Sequence, residues 1–293
     1  MKRRLRVLLA ASVLLLCGCA GRTRTETSQW FTYSLPDSMQ QTDEGGLYTD
    51  GSVRLDIRED EQHCTPAVYL AELAEKTAEI AAFDVNGLTG ASLTAEADGI
   101  SMLYAVVGCD GRLLSFEAYA EDSDEVRRAE KLLGRITKTV QYTGTAPHAE
   151  PFHSSQITVQ YPDVLAPSFQ NAGEQDSVLG LTFVNAQDAA ERSCQLMIAA
   201  ENSTGEPAAV LQQLQARLEQ TGLYAAFETC TEPVLGREAA VLHYTDTDGI
   251  AAHSEACFTE NGRLITVTMT VPADDAAADR FKALLGQITL EVL

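Results

Sequence analysis

Leu132-Leu133-Gly134-Arg135-Ile136-Thr137 recurs near the end of the chain as Leu284-Leu285-Gly286-Gln287-Ile288-Thr289. Working back from this pair, further matches stand in the same order. Gly111-Arg112-Leu113 corresponds to Gly262-Arg263-Leu264, and Asp98-Gly99-Ile100 to Asp248-Gly249-Ile250. Pro66 followed by Leu70 and Leu73 corresponds to Pro207 followed by Leu211 and Leu214. Phe31-Thr32-Tyr33-Ser34-Leu35-Pro36-Asp37 corresponds to Ile157-Thr158-Val159-Gln160-Tyr161-Pro162-Asp163. Ordered matches of this kind indicate a divergent internal repeat. Copy one is placed at 30–143 and copy two at 154–293, the second with a longer segment between its first strand and first helix. Residues 144–153, with Gly144, Pro147 and Pro151, read as a linker.

Each copy has a legible element order. Trp30 to Leu35 alternates polar and apolar, as a half-buried strand does, and Val53, Leu55 and Ile57 share one face of a second strand. Thr65 and Pro66 suit a helix start. Leu70, Leu73, Thr77 and Ile80 continue a helical stripe to about Ala82. Asp98-Gly99 and Asp110-Gly111 in copy one, and Asp248-Gly249 and Asn261-Gly262 in copy two, are hairpin turns between the strands of a three-stranded meander. Leu114, Phe116 and Ala118 match Ile265, Val267 and Met269 in parity. Ser123 is the expected cap of the closing helix, with Asp124 and Glu125 in its first turn; Asp274 and Asp275 occupy the equivalent place. Strands, helix, meander and helix define an α+β class: two tandem copies of an antiparallel sheet packed by helices.

The Tyr33-Ser34-Leu35-Pro36 strand, the Pro66 helix, the Gly-turn meander and the closing Leu132-Leu133 helix resemble the PsbP/DcrB-like group of small α+β domains. The resemblance covers both copies and implies an accessory role. That group has no common catalytic residues to carry over, and fold alone does not convey function.

The first residues speak to location. Lys2, Arg3, Arg4 and Arg6 precede the apolar run Val7 to Leu16, too short to cross a hydrocarbon core of roughly 20 helical residues. Leu16-Cys17-Gly18-Cys19 then resembles a bacterial lipobox, which makes residues 1–18 a lipoprotein signal peptide and Cys19 the lipid acceptor. Residues 19–29 read as a tether. The expected location is the extracytoplasmic face of a bacterial cell membrane, held by lipid on Cys19.

The chain has 293 residues, 21 Lys+Arg and 42 Asp+Glu, a net charge of -21. Losing the four leader cations takes this to -25. Such an excess argues against nucleic-acid partners, which demand concentrated Lys and Arg.

Five cysteines lie beyond the leader, Cys64, Cys109, Cys194, Cys230 and Cys257, with no C-x-x-C spacing. Buried thiols and structural disulfides are both open for them. His63-Cys64 beside Glu59, Asp60 and Glu61 makes a poor metal site, because neighbours on a strand point apart. His148 and His153 flank the linker and read as solvated. Aligning Asp248-Gly249 on Asp98-Gly99 sets His243, His253 and Glu255 opposite Leu93, Leu103 and Ala105, a polar patch that could hold zinc if His243 faced His253. The competing reading is an exposed face. Asp246-Thr247-Asp248-Gly249 fits a turn better than a calcium loop. No G-x-S-x-G, H-E-x-x-H or phosphate-cradling loop occurs. The expectation is a non-enzymatic binding or assembly accessory of the envelope, with an unidentified protein partner and no cofactor, resident metal or catalytic residue. The alternatives are an extracytoplasmic enzyme with a site between the copies, or a solute receptor of a transporter.

Overall fold

A computed structural model describes residues 22–42, 46–74, 78–203 and 205–293. The lipobox and Cys19 lie outside the described residues. The chain divides into two compact units, 1–61 with 69–145 and 62–68 with 146–293.

The first unit holds two antiparallel sheets. A small one is ordered β1 (Thr23–Thr27), β2 (Phe31–Pro36) and β10 (Gln141–Tyr142). A seven-stranded one is ordered β3 (Gln40–Gln41), β4 (Leu47–Thr49), β5 (Arg54–Glu61), β9 (Arg112–Ala120), β8 (Ile100–Cys109), β7 (Leu88–Ala97) and β6 (Ile80–Val85). The second unit repeats both. Its small sheet is β11 (Phe152–His153), β12 (Ile157–Gln160) and β20 (Thr289–Val292). Its large sheet is β13 (Leu165–Ala172), β14 (Asp176–Phe183), β15 (Gln195–Glu201), β19 (Arg263–Pro272), β18 (Ala251–Glu260), β17 (Arg237–Asp246) and β16 (Tyr224–Val234). The described helices are α1 (Pro66–Leu73), α2 (Ser123–Ile136), α3 (Ala189–Ser193), α4 (Pro207–Thr221) and α5 (Ala276–Leu284). Sheet outweighs helix in both units. Helix α3 stands between β14 and β15, in the segment that is longer in copy two.

Packing explains the alternating pattern. In the first unit Leu103, Ala105, Phe116 and Ala118 of the large sheet meet Phe31, Tyr33 and Leu35 of β2 and Ala129, Leu133 and Ile136 of α2. In the second, Ala256, Phe258, Val267 and Met269 meet Ile157 and Val159 of β12 and Phe281 of α5. A second cluster, Leu211, Leu242, Tyr244, Cys257 and Leu264, gathers Leu214 and Leu218 against it, so α4 covers the opposite face of that sheet. The Gly-Arg-Leu match has a structural cause. Arg112 Nη1 donates to the Thr145 carbonyl, and Arg263 Nε to that of Leu293, both at 2.9 Å. Each arginine thereby pins the tail of its own copy.

Several expectations need correction. Helix α1 ends at Leu73, and Ile80 to Val85 form a strand, so the meander has four strands. An apolar residue every third or fourth position cannot separate a helix from a short β segment that begins on Ile80. The expected tether contains β1, which pairs with β2 from Thr23↔Pro36 to Thr27↔Thr32. Alternation in Thr23–Thr27 is polar on both faces and gives no apolar signal. The linker likewise ends in β11, paired with β12. The cap of α2 is Asp122, not Ser123: its Oδ1 accepts from the amides of Asp124 and Glu125 at 2.8 Å each. His63 lies beyond the end of β5 with φ 54°, at a bend and not on a strand.

Candidate functional site

The most informative correction concerns a hairpin. The β7–β8 hairpin closes on Asp98 and Gly99, both with positive φ, after the pair Ala97↔Ile100. In β17–β18 the pair next to the loop is Thr245↔Ala252, and only Gly249 of Asp248-Gly249 has positive φ. The second loop is longer, so aligning the two Asp-Gly pairs slips each flanking strand by one residue. A one-residue slip reverses every face. The ladders themselves match Leu93↔Tyr104 with Leu242↔Glu255.

This register separates the proposed zinc ligands. His243 pairs with Ser254, whereas His253 pairs with Tyr244 and Glu255 with Leu242. His243 therefore lies on the face opposite His253 and Glu255. His253 is held by both ring nitrogens, Nε2 to Asp246 Oδ1 at 2.9 Å and Nδ1 to Thr270 Oγ1 at 3.1 Å. Its ring stacks on Tyr244 at 4.8 Å and 14°, with Tyr224 edge-on. Glu255 is buried and accepts from Thr268 Oγ1 at 2.6 Å; burial nonetheless pushes its pKa up. With its partners satisfied, this network works as packing. The turn reading of Asp246-Thr247-Asp248-Gly249 agrees with the Gly249 amide donating to the Asp246 carbonyl at 3.0 Å.

On the other face, each unit has a cleft in the same place. In the first unit a cleft of about 420 Å³ runs between strand β6, the sheet and α2, lined by Phe83, Val85, Leu93, Leu103, Leu133 and Gly134 among others. In the second unit a cleft of about 450 Å³ runs between β16, the sheet and the end of α5, with Glu232, Val234, His243, Ser254, Leu285 and Gly286 in its walls. By ladder register, Phe83 corresponds to Glu232, Val85 to Val234, Thr94 to His243 and Leu103 to Ser254. The repeated Leu-Gly of the closing segment supplies a bare wall in both. A Cβ added at Gly134 or Gly286 would meet nothing within 4 Å.

Both clefts open beside an edge. Among the described residues β6 pairs only with β7, and β16 only with β17. The first cleft is mainly apolar. Its Phe83 ring lies over Gly90, where a Cβ would come within 2.2 Å of the ring, so any side chain there must displace the ring. Charged residues line both clefts, Asp84, Glu130 and Lys138 in the first and Glu232 and Lys282 in the second, but only the second has a histidine, and His243 Nε2 stands 3.4 Å from Glu232 Oε1. Cys230 projects on the same face as Glu232, two residues along β16, with Glu228 directly opposite His243. Burial, then the Glu232 and Glu228 carboxylates, push the Cys230 thiol up.

A larger open cleft of about 650 Å³ in the first unit is lined by Arg54, Asp56, Arg58, Tyr119, Glu121 and Glu125 among others. Its Arg58 is already engaged by Asp56 through Nε at 2.9 Å. Cys109, Cys194, Cys230 and Cys257 are free thiols; Cys64 is buried and bridges to Ala186 within the second unit. His148 is exposed and lies 3.0 Å from Asp163, and His153 is exposed beside Thr158. Sequence reasoning singled out His243 but missed its true neighbours. The available signal was Cys230-x-Glu232, two donors at strand spacing.

No protein-family model matches the chain, and no curated protein does. Among solved structures, the chain is similar to the cyanobacterial PsbP of Synechocystis sp. PCC 6803, with 14% identity and a TM-score of 0.32, over 43% of this chain and 96% of that one. It is also similar to the immunity protein TplEi of the Pseudomonas aeruginosa T6SS complexed with "L" peptide, with 14% identity, a TM-score of 0.29 and coverage of 91% and 97%. MucB in complex with MucA(peri) matches at 14% identity and a TM-score of 0.21, over 92% of each chain. At these TM-scores the likenesses carry no weight for function.

Proposed function

We propose that this protein is a membrane-anchored lipoprotein of the bacterial envelope, acylated on Cys19, that acts as a non-enzymatic accessory by binding an extended segment of a partner protein. The observation that carries the binding role is the recurrence of one cleft at the same sheet edge in both units. An unpaired strand edge offers backbone donors and acceptors to an added strand, and adjacent pockets select alternate side chains. The apolar lining around Phe83 and Leu103 suits hydrophobic side chains at such positions. The anchoring role rests on Leu16-Cys17-Gly18-Cys19.

A photo-reactive residue in place of Thr94, on the wall of the first cleft, tests the binding role in intact cells. A discrete protein adduct is expected from position 94 and none from Arg127 on the exposed side of α2. Equal labelling from both positions contradicts the reading.

A further inference from the structure

We propose that Cys230 Sγ, Glu232 Oε1 and His243 Nε2 form a three-ligand binding site for a zinc-class divalent ion at the rim of the second cleft. This goes beyond the protein-binding role and holds whether or not a protein segment occupies either cleft.

The geometry comes first. One ligand atom from each of the three residues, the Cys230 sulfur, a Glu232 carboxylate oxygen and a His243 ring nitrogen, lies within 4.8 Å of the other two. Donors on one tetrahedral zinc ion stand roughly 3.3–3.8 Å apart, given Zn–S near 2.3 Å and Zn–N near 2.0–2.1 Å. His243 Nε2 and Glu232 Oε1 already fall in that range at 3.4 Å. That separation is long for a hydrogen bond but suits two ligands of a shared ion. Cys230 and Glu232 stand two apart on β16, and His243 is on the neighbouring strand, so a rigid ladder fixes all three Cα positions. Closing the remaining gap takes only rotamer adjustment of partly exposed side chains.

The chemistry agrees. Thiolate, imidazole and carboxylate are all established zinc donors, and three protein ligands leave one position open. Glu228, opposite His243 in the ladder, adds a second carboxylate to the neighbourhood of a dication. Binding converts the Cys230 thiol to a thiolate and releases its proton to solvent.

The duplication gives an internal control. The equivalent positions in the first unit are Ala81, Phe83 and Thr94, none of which offers a comparable donor set. The same backbone and cleft form there without these side chains. Fold maintenance therefore does not account for Cys230, Glu232 and His243 converging.

Cobalt(II) is the probe, titrated into the full chain with its thiols kept reduced. The expected signal is a thiolate-to-cobalt charge-transfer band with tetrahedral d–d absorption, saturating at one equivalent and abolished by added Zn²⁺. Cys230→Ser is expected to remove the charge-transfer band while far-UV circular dichroism stays unchanged. Removing an outer-shell partner costs roughly 10–100-fold in affinity, so His243→Ala and Glu232→Gln, which delete direct ligands, are expected to lose at least that much. Cys109→Ser and His253→Ala are expected to titrate like the unsubstituted chain. Three results would overturn the site: no charge-transfer band in the unsubstituted chain, a band that survives Cys230→Ser, or a band that depends on Cys109 or His253.

Discussion

His243 and Glu232 meet across the β16–β17 ladder, Nε2 to Oε1 at 3.4 Å, on the rim of a cleft that the first unit builds from Thr94 and Phe83. The two units thus keep one cavity and line it differently. A duplicated scaffold with a retained cleft and changed lining fits a binding role in which each copy recognises its own chemistry. Five consequences can be measured apart from the metal titration.

The Phe83 ring occupies the space that a side chain at position 90 would need. Gly90→Ala is expected to destabilise the chain by about 1–3 kcal/mol, the range for overpacking. The same change in a Phe83→Ala background is expected to cost much less. Urea denaturation of the four members of this double-mutant cycle gives the coupling. A cost that is equal in both backgrounds would remove the ring from the explanation.

Asp122 rather than Ser123 caps α2, and its backbone hydrogen bonds hold its carboxyl below the usual range. Its contribution is therefore complete above the ordinary aspartate pKa and fades as pH falls through the lowered folded value. Asp122→Ala is expected to lower the denaturation midpoint at pH 7, and Ser123→Ala to leave it unchanged. The difference between the variants should shrink in acid. A larger loss from Ser123→Ala would restore the sequence-based cap.

Glu255 has the opposite sign. Burial raises its pKa in the folded state, so its protonated form favours folding. Stability from this group is present at low pH and is lost as pH rises from the unfolded glutamate value through the folded one. Glu255→Gln is expected to stabilise the protein at pH 7 relative to pH 4. Parallel denaturant curves at the two pH values check this. An unchanged pH dependence in the variant would show that Thr268 keeps the carboxylate ionised at no cost.

Thiol accessibility follows burial. Cys194 and Cys257 are buried, and burial pushes Cys194 up to about 12. Cys109 is partly exposed but is raised to about 11, chiefly by burial and by Asp110. Iodoacetamide under native conditions is expected to label Cys230 first, Cys109 slowly and the buried pair only after unfolding. Peptide mass spectrometry reads the order. Early labelling of Cys194 would contradict its burial in the core of the second unit.

Much of the fold was legible because burial writes itself into sequence with period two. The parity of Leu114-Phe116-Ala118 against Ile265-Val267-Met269 is the parity of the two cores. Strand β1 left no such trace, since Thr23–Thr27 buries no apolar face. The site was less legible for a different reason. Turn chemistry marks a hairpin but does not set which side chains meet: a two-residue turn on Asp248-Gly249 already pairs His243 with Ser254, as Asp98-Gly99 leads to Leu93↔Tyr104, so facing His243 with His253 is a one-residue error of register. Cys230 and Glu232 carried no motif, because a strand edge brings donors together through the ladder and not through sequence neighbours.

Gly134 offers the most direct test of the cleft as the functional site. It lines the first cleft, sits within α2, and has open space where a side chain would project. Gly134→Leu should fill the cleft while gaining about 0.5–1 kcal/mol of helix propensity. The measurement is the yield of the position-94 photo-adduct in intact cells, with denaturant midpoints of the purified chains in parallel. The expected result is a lost adduct from a protein at least as stable as before. An undiminished adduct from a folded Gly134→Leu chain would contradict the cleft as the binding site.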